Sequence, residues 1–186
     1  MWPLLLCSLV ATAIILERAK VWFVCLSLCK LSGREELMAV ISQRRLAEAI
    51  VLTRDSEDVV IRVIHEGLLA WESGKSRHAL DAALIREMGI LKKGLPVLDT
   101  IVTITPLLGI LGTVVGIIGS FQSLGGGTVG DPKAVTSGIG EALITTAFGL
   151  GIAIMSVVPL NWFWNRDEQI TEQIEALWSR VEVMLA

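Results

Sequence analysis

Charge is what this chain lacks over long stretches. No charged side chain precedes Glu17, none lies between Thr100 and Gly130, and only Glu141 interrupts the 31 residues from Ala134 to Trp164. Segregation of this kind excludes an ordinary soluble domain, as do the 53% apolar composition and the mean hydropathy of +0.65. Histidine and cysteine are scarce, at two and three residues. Neither His65 nor His78 has a Ser or Cys partner that suggests nucleophilic catalysis, and both are far in sequence from Cys25 and Cys29, so no enzyme, metal site or cofactor is expected. The net charge of -3 says little by itself, because the charged side chains are segregated, and no nucleic-acid partner is expected. Period-two alternation is absent throughout, which leaves an all-α fold.

What remains reads as an integral membrane protein with three transmembrane helices and an extended helical cytoplasmic region, assembled as an oligomeric bundle. A helix needs about 20 apolar residues to cross the hydrocarbon core. The expected division is a first transmembrane helix with its cytoplasmic continuation over 1–29, a cytoplasmic helical region over 30–95, and a second transmembrane helix over 96–121. A periplasmic loop follows over 122–133, then a third transmembrane helix over 134–162 and a cytoplasmic C-terminal helix over 163–186. The apolar run Trp2–Leu16 is short, so the first span borrows from Val21–Cys29 while Glu17, Arg18 and Lys20 snorkel toward the interface. Ala11-Thr12-Ala13 matches a signal cleavage pattern, but no basic segment precedes it and apolar residues follow, which favours a retained anchor.

Thirteen of the 16 Lys and Arg residues lie between Arg18 and Lys93, and only Lys133 is near the loop. The positive-inside rule then puts the long segment and the C-terminus in the cytoplasm, and the N-terminus and loop outside. The thiols of Cys7, Cys25 and Cys29 would stay reduced. In the cytoplasmic region one helix is expected to carry Leu37, Ile41, Leu46 and Ile50. A second, capped at Ser56, carries Val60, Ile64 and Leu68, and a third, from about Arg77, carries Leu80, Leu84, Met88 and Leu91. It either breaks at Gly94 or kinks and runs on into the membrane. After the third span, Ile170, Ile174, Leu177, Val181 and Leu185 form a stripe that should pack on these helices or on a neighbouring subunit.

An acidic side chain at mid-membrane costs roughly 2.5 to 3.5 kcal/mol on insertion scales, so Glu141 should face a bundle interior or a wet cavity and marks an ion or proton pathway. Its plain alternative is an inter-helix hydrogen bond. Ser137 and Thr145, four residues to either side, share its face, with Ser156 near the same side and Thr146 one residue round. In the second span Gly109, Gly112, Gly116 and Gly119 recur at spacings of three and four, a pattern that lets helices approach closely, although Gly is common in any membrane helix. Pro106 removes a backbone hydrogen bond and frees a carbonyl that Thr103 or Thr105 is close enough to satisfy; a passive kink and a functional one both fit. Thr113 is the only hydroxyl between Pro106 and Ser120, and a lone hydroxyl more often bonds its own helix than lines a pore. Ser73-Gly74-Lys75-Ser76 is similar to the end of a phosphate-binding loop, but Leu69 stands where the earlier glycine is needed and no strand precedes it.

The blocks WPLLLCSLVATAIILER, GLPVLDTIVTITPLLGILGTVVGIIGSF and GIGEALITTAFGLGIAIMSVVPLNWF together resemble the MotA/TolQ/ExbB proton channel family, most closely its ExbB-like branch. The resemblance covers nearly the whole chain. It implies a three-span subunit that assembles as a homopentamer around helices of an ExbD/TolR-like single-span membrane protein, and energises a TonB-like transducer of outer-membrane transport from the bacterial inner membrane. In that family the Glu of the GIxEAL motif and a Thr five residues later line the pore, which falls on Glu141 and Thr146. The Thr of the second-span motif falls on Thr113. Thr103 and Thr105 have no such assignment, and the family's essential aspartate sits on the partner helix. The first span begins almost at Met1, where family members usually carry more residues outside the membrane. Three spans favour ExbB or TolQ over the four-span MotA branch. A TolQ-like role in envelope maintenance, or another motor of this type, keeps the same chemistry with a different load. An ion-coupled secondary transporter would predict internal repeats, which the second and third spans do not show. A structural scaffold would tolerate Glu141→Gln.

Overall fold

The computed structural model describes the backbone of residues 2–28, 31–124 and 132–185, and the side chains of 2–25, 33–122 and 136–185. Every element among them is a helix: α1 (Trp2–Leu28), α2 (Leu31–Ser42), α3 (Leu46–Thr53), α4 (Val59–Leu69), α5 (Ser76–Leu91), α6 (Leu95–Leu124) and α7 (Pro132–Leu185). Cys29 and residues 125–131 of the expected loop lie outside the described residues. Two stretches, Leu95–Gln122 and Thr136–Leu185, are long and apolar enough to cross a membrane. The chain divides into two compact units, one of residues 1–17 and 94–162, the other of residues 18–93 and 163–186.

The first unit holds the start of α1, all of α6 and the first part of α7. Its packing is set by small residues. A Cβ added at Gly149 would lie 2.5 Å from the Thr105 carbonyl oxygen and 3.1 Å from Gly109 Cα; one at Gly109 would lie 3.0 Å from Thr146 Cα. One at Gly112 would meet Thr145 Oγ1 at 2.5 Å, and one at Gly116 would meet Ala142 Cβ at 2.7 Å. Gly109, Gly112 and Gly116 of α6, but not Gly119, where an added Cβ has nothing within 4 Å, therefore meet α7 of the same chain along an antiparallel crossing that runs from Thr105 against Gly149 to Ser120 against Gly138. Lipid gives no hydrophobic drive for helices to associate, so close backbone contact of this kind supplies the attraction. Pro106 sits inside α6 without ending it. Thr103 and Thr105 donate instead to Asp99 O (3.1 Å) and Ile101 O (2.9 Å), each four residues back, rather than to the Val102 carbonyl that Pro106 frees.

The second unit packs α2 on α3, α3 on α4 and α4 on α5. The expected first helix is two, because the chain turns at Gln43–Arg45 with Arg44 in the left-handed region at φ 54°. The apolar pattern hints at this, since Ile41 to Leu46 is a step of five. Leu37 and Ile41 are fully buried in α2, while Ala49 and Thr53 are the buried residues of α3. The cap of α4 is Asp58, whose Oδ1 accepts from Val60 N–H at 2.9 Å; Ser56 Oγ accepts from Asp58 N–H at 3.2 Å and so supports the cap instead of forming it. Arg34 grips the same carboxylate with two nitrogens, at 2.9 and 3.1 Å, and donates to Gln173 at 2.7 Å. The third expected helix, α5, ends at Leu91, and Gly94 at φ 84° separates it from α6, a conformation glycine adopts without strain. Arg18 of α1 donates to the Ile90 carbonyl at 3.0 Å, placing a cation at the α5 C-terminus.

The final stretch of α7 buries Ile170, Ile174, Trp178 and Val181 in this unit, with Leu177 only half-buried. Trp178 fits over Gly67, whose added Cβ would lie 2.6 Å from the indole ring, and stands edge-on to Trp71 at a centroid distance of 6.0 Å. Its Nε1–H donates to Glu182 at 2.6 Å. The third transmembrane helix and C-terminal helix of the sequence division form one continuous helix of 54 residues, with Pro159 inside it.

Candidate functional site

The small-residue crossing of α6 and α7 leaves an opening beside it. Lined by Gly112, Gly116, Gly119 and Gly138, a cleft of about 560 Å³ lies there, closed on its third side by Pro3 and Leu4 of α1. Glu141 and Thr145 of α7 and Ser120 of α6 supply the polar lining, and Leu108, Leu111, Val115 and Ala142 most of the apolar wall. Glu141 is exposed in the single chain, so its carboxylate reaches the cleft instead of being sealed in the helix packing. A cleft of this size has room for several waters, given about 30 Å³ for each, beside the Glu141 side chain.

The structure separates the sequence-predicted hydroxyls. Thr145 lines the cleft and donates to Ala142 O at 2.7 Å and more weakly to Gly109 O at 3.4 Å. Thr146 lies outside the cleft lining and donates across the crossing to Gly109 O at 2.8 Å. That carbonyl, with two lone pairs, thus receives hydroxyls from the neighbouring helix. Thr113 is half-buried, outside the lining, and bonds back to Ile110 O at 2.6 Å. Ser137 is exposed and Ser156 buried, so the four-residue stripe through Glu141 does not form one wet surface. Ser120 escaped the sequence reading although it faces Gly138 and bonds to Gly116 O at 2.9 Å; nothing in the α6 pattern marks it out, because its place depends on the register against α7. Among the described residues no group of three or more His, Cys, Asp or Glu side chains is arranged to hold a metal ion.

Comparison with known proteins turns this arrangement into an identity. Residues 55–176, which contain α6, Glu141 and the Gly-rich crossing, match the MotA/TolQ/ExbB proton channel family. The chain belongs to that family. An ExbB-like biopolymer transport protein of Synechocystis, number 3 of its series there, is 36% identical over 192 residues, covering 96% of this chain and 90% of the relative. The biopolymer transport protein ExbB of Xanthomonas campestris is 41% identical over 97 residues, 52% of this chain and 38% of the relative. The Tol-Pal system protein TolQ of Haemophilus influenzae is 40% identical over 83 residues, 45% of this chain and 36% of the relative. The chain is therefore an ExbB-like member of a membrane proton channel family.

Proposed function

We propose that this chain is the pore-forming subunit of an inner-membrane proton channel that converts proton-motive force into work on a TonB-like transducer of outer-membrane transport. The observation that carries the reading is the position of Glu141, the lone ionisable group of its apolar run, on the wall of the cleft between α1, α6 and α7. Three spans are assigned, the first within residues 1–29, whose end continues into the cytoplasm, and the others over 96–121 and 134–162, with the N-terminus periplasmic and the C-terminus cytoplasmic. The distribution of Lys and Arg supports this orientation. Five copies surround a single-span partner of the ExbD/TolR kind, whose own carboxylate is neutralised and recharged as protons pass Glu141. Thr145 shares the cleft, while Thr146 and Thr113 reach the pore from their helix positions once copies assemble. Each proton moving through 100 mV releases roughly 2.3 kcal/mol, so several must be combined to pull a load.

A TolQ-like load is the second reading, favoured by the Haemophilus relative, whose identity over its aligned segment equals that of the ExbB relatives to within a few per cent. Affinity purification of the chain from membranes, followed by native mass spectrometry, tests the assembly. Five copies with a smaller single-span protein are expected. A monomer, or an oligomer that never retains such a partner, would remove the reading.

A further inference from the structure

The second unit buries a carboxyl group that its packing leaves without a partner. Asp167 is 2% exposed, and neither of its carboxylate oxygens has a hydrogen-bond partner among the described residues. The nearby hydroxyl of Thr171 is committed to the Asp167 backbone carbonyl at 3.0 Å. A sealed, unpaired carboxylate is among the most costly groups a protein can bury, and the usual escape is to take up a proton or to move. Both routes are open here. Beside Asp167 lies a cleft of about 450 Å³, lined also by Lys92, Trp164, Glu168, Thr171 and Glu172.

The charges around it set the direction. From the end of α5, Lys92 is exposed on the cleft and attracts a negative Asp167. From α7 itself, Glu168 and Glu172 carry the same sign as an ionised Asp167 and disfavour leaving it charged where it is. From α1, Arg18 is held on the carbonyls of Ile90 and Leu91, immediately before Lys92. We propose that Asp167 is a proton-operated latch of the second unit: uncharged, it stays sealed in the packing of α7, and charged, it turns into the cleft to pair with Lys92.

Burial raises the Asp167 pKa from 3.8 to about 6, with Lys92 pulling the other way. An acid raised in this sense stabilises the sealed packing fully below about pH 4, and that contribution is lost as the pH climbs to about 6, with no further change above. A shift of that size corresponds to a change on the order of a hundredfold in the sealed-to-open equilibrium. The latch stands apart from the assignment of Glu141, because it concerns the second unit alone. It would make the packing between the end of α5 and α7 respond to proton concentration in the compartment this unit faces.

The test compares Lys92 with its exposed neighbour Lys93 in the full chain in lipid nanodiscs. Both amines are labelled by an amine-reactive reagent at pH 5 and at pH 7.5, and the Lys92 to Lys93 ratio is read by mass spectrometry, which cancels the intrinsic pH dependence of labelling. The ratio is expected to fall severalfold at the higher pH in the wild type and to stay constant in Asp167→Asn. Infrared spectra of the wild type should show a protonated carboxyl band that titrates near pH 6, with its midpoint moved upward in Lys92→Met. A constant ratio in the wild type, or a midpoint indifferent to Lys92→Met, overturns the latch. Should Asp167→Asn fail to fold, the comparison of wild type with Lys92→Met decides the question unaided.

Discussion

Replacing Gly149 by alanine puts a methyl carbon 2.5 Å from the Thr105 carbonyl oxygen and 3.1 Å from Gly109 Cα. Both neighbours are backbone, so no rotamer change can relieve the clash. The helices must separate by several tenths of an ångström. Overpacking of this kind costs roughly 1–3 kcal/mol, and the separation also lengthens the Thr146 bond to Gly109 O, worth about 0.6 kcal/mol in a membrane helix pair. Alanine recovers up to about 1 kcal/mol through helix propensity. Gly151, two residues on, supplies the control, because an added Cβ there has nothing within 4 Å and should give only the propensity gain. The two variants should therefore differ by about 2–4 kcal/mol, with Gly149→Ala the less stable. Reversible unfolding of the purified chain in mixed micelles of increasing denaturing detergent reads this difference directly. Equal midpoints for the two variants, or a Gly149→Ala protein as stable as wild type, would show that the α6–α7 crossing is not the tight contact described.

Thr146→Val should weaken the same crossing by roughly 0.5–1.5 kcal/mol through loss of its hydroxyl donor, and it is checked in the same unfolding assay. Asp58→Ala removes both the α4 cap and the partner of Arg34, and should destabilise the second unit by roughly 2–4 kcal/mol. Asp58→Asn keeps an acceptor for Val60 N–H and should cost less, an ordering that the pattern of protease cleavage in α4 would report. Gly67→Ala should loosen Trp178, seen as a shift in tryptophan emission, because the added carbon would meet the ring at 2.6 Å.

Much of the helical content is legible in composition and period, because long uncharged runs and i, i+4 apolar spacing leave little choice of element. The turn at Arg44 is not, since the left-handed position carries an arginine and not the glycine that normally announces it. The N-terminus of α4 is misplaced by two residues for a related reason. Ser56, Glu57 and Asp58 are all competent near a cap, and Asp58 wins because Arg34, distant in sequence and itself held by Gln173, anchors it. In the first unit the glycine spacing of α6 announces close packing, yet the partner, α7 of the same chain, is fixed by Gly138, Ala142 and Gly149, whose register no local pattern reveals. Glu141 stands out because charge is otherwise absent around it. Asp167 does not, lying in the charge-rich run from Arg166 to Glu175, and only tertiary burial distinguishes it.

Proton flux into liposomes holding the chain with its co-purified partner reports whether protons pass by way of Glu141. Under an imposed potential, Glu141→Gln and Glu141→Ala should abolish the flux seen with wild type while leaving the assembled complex intact. Undiminished flux through either intact variant would contradict the account.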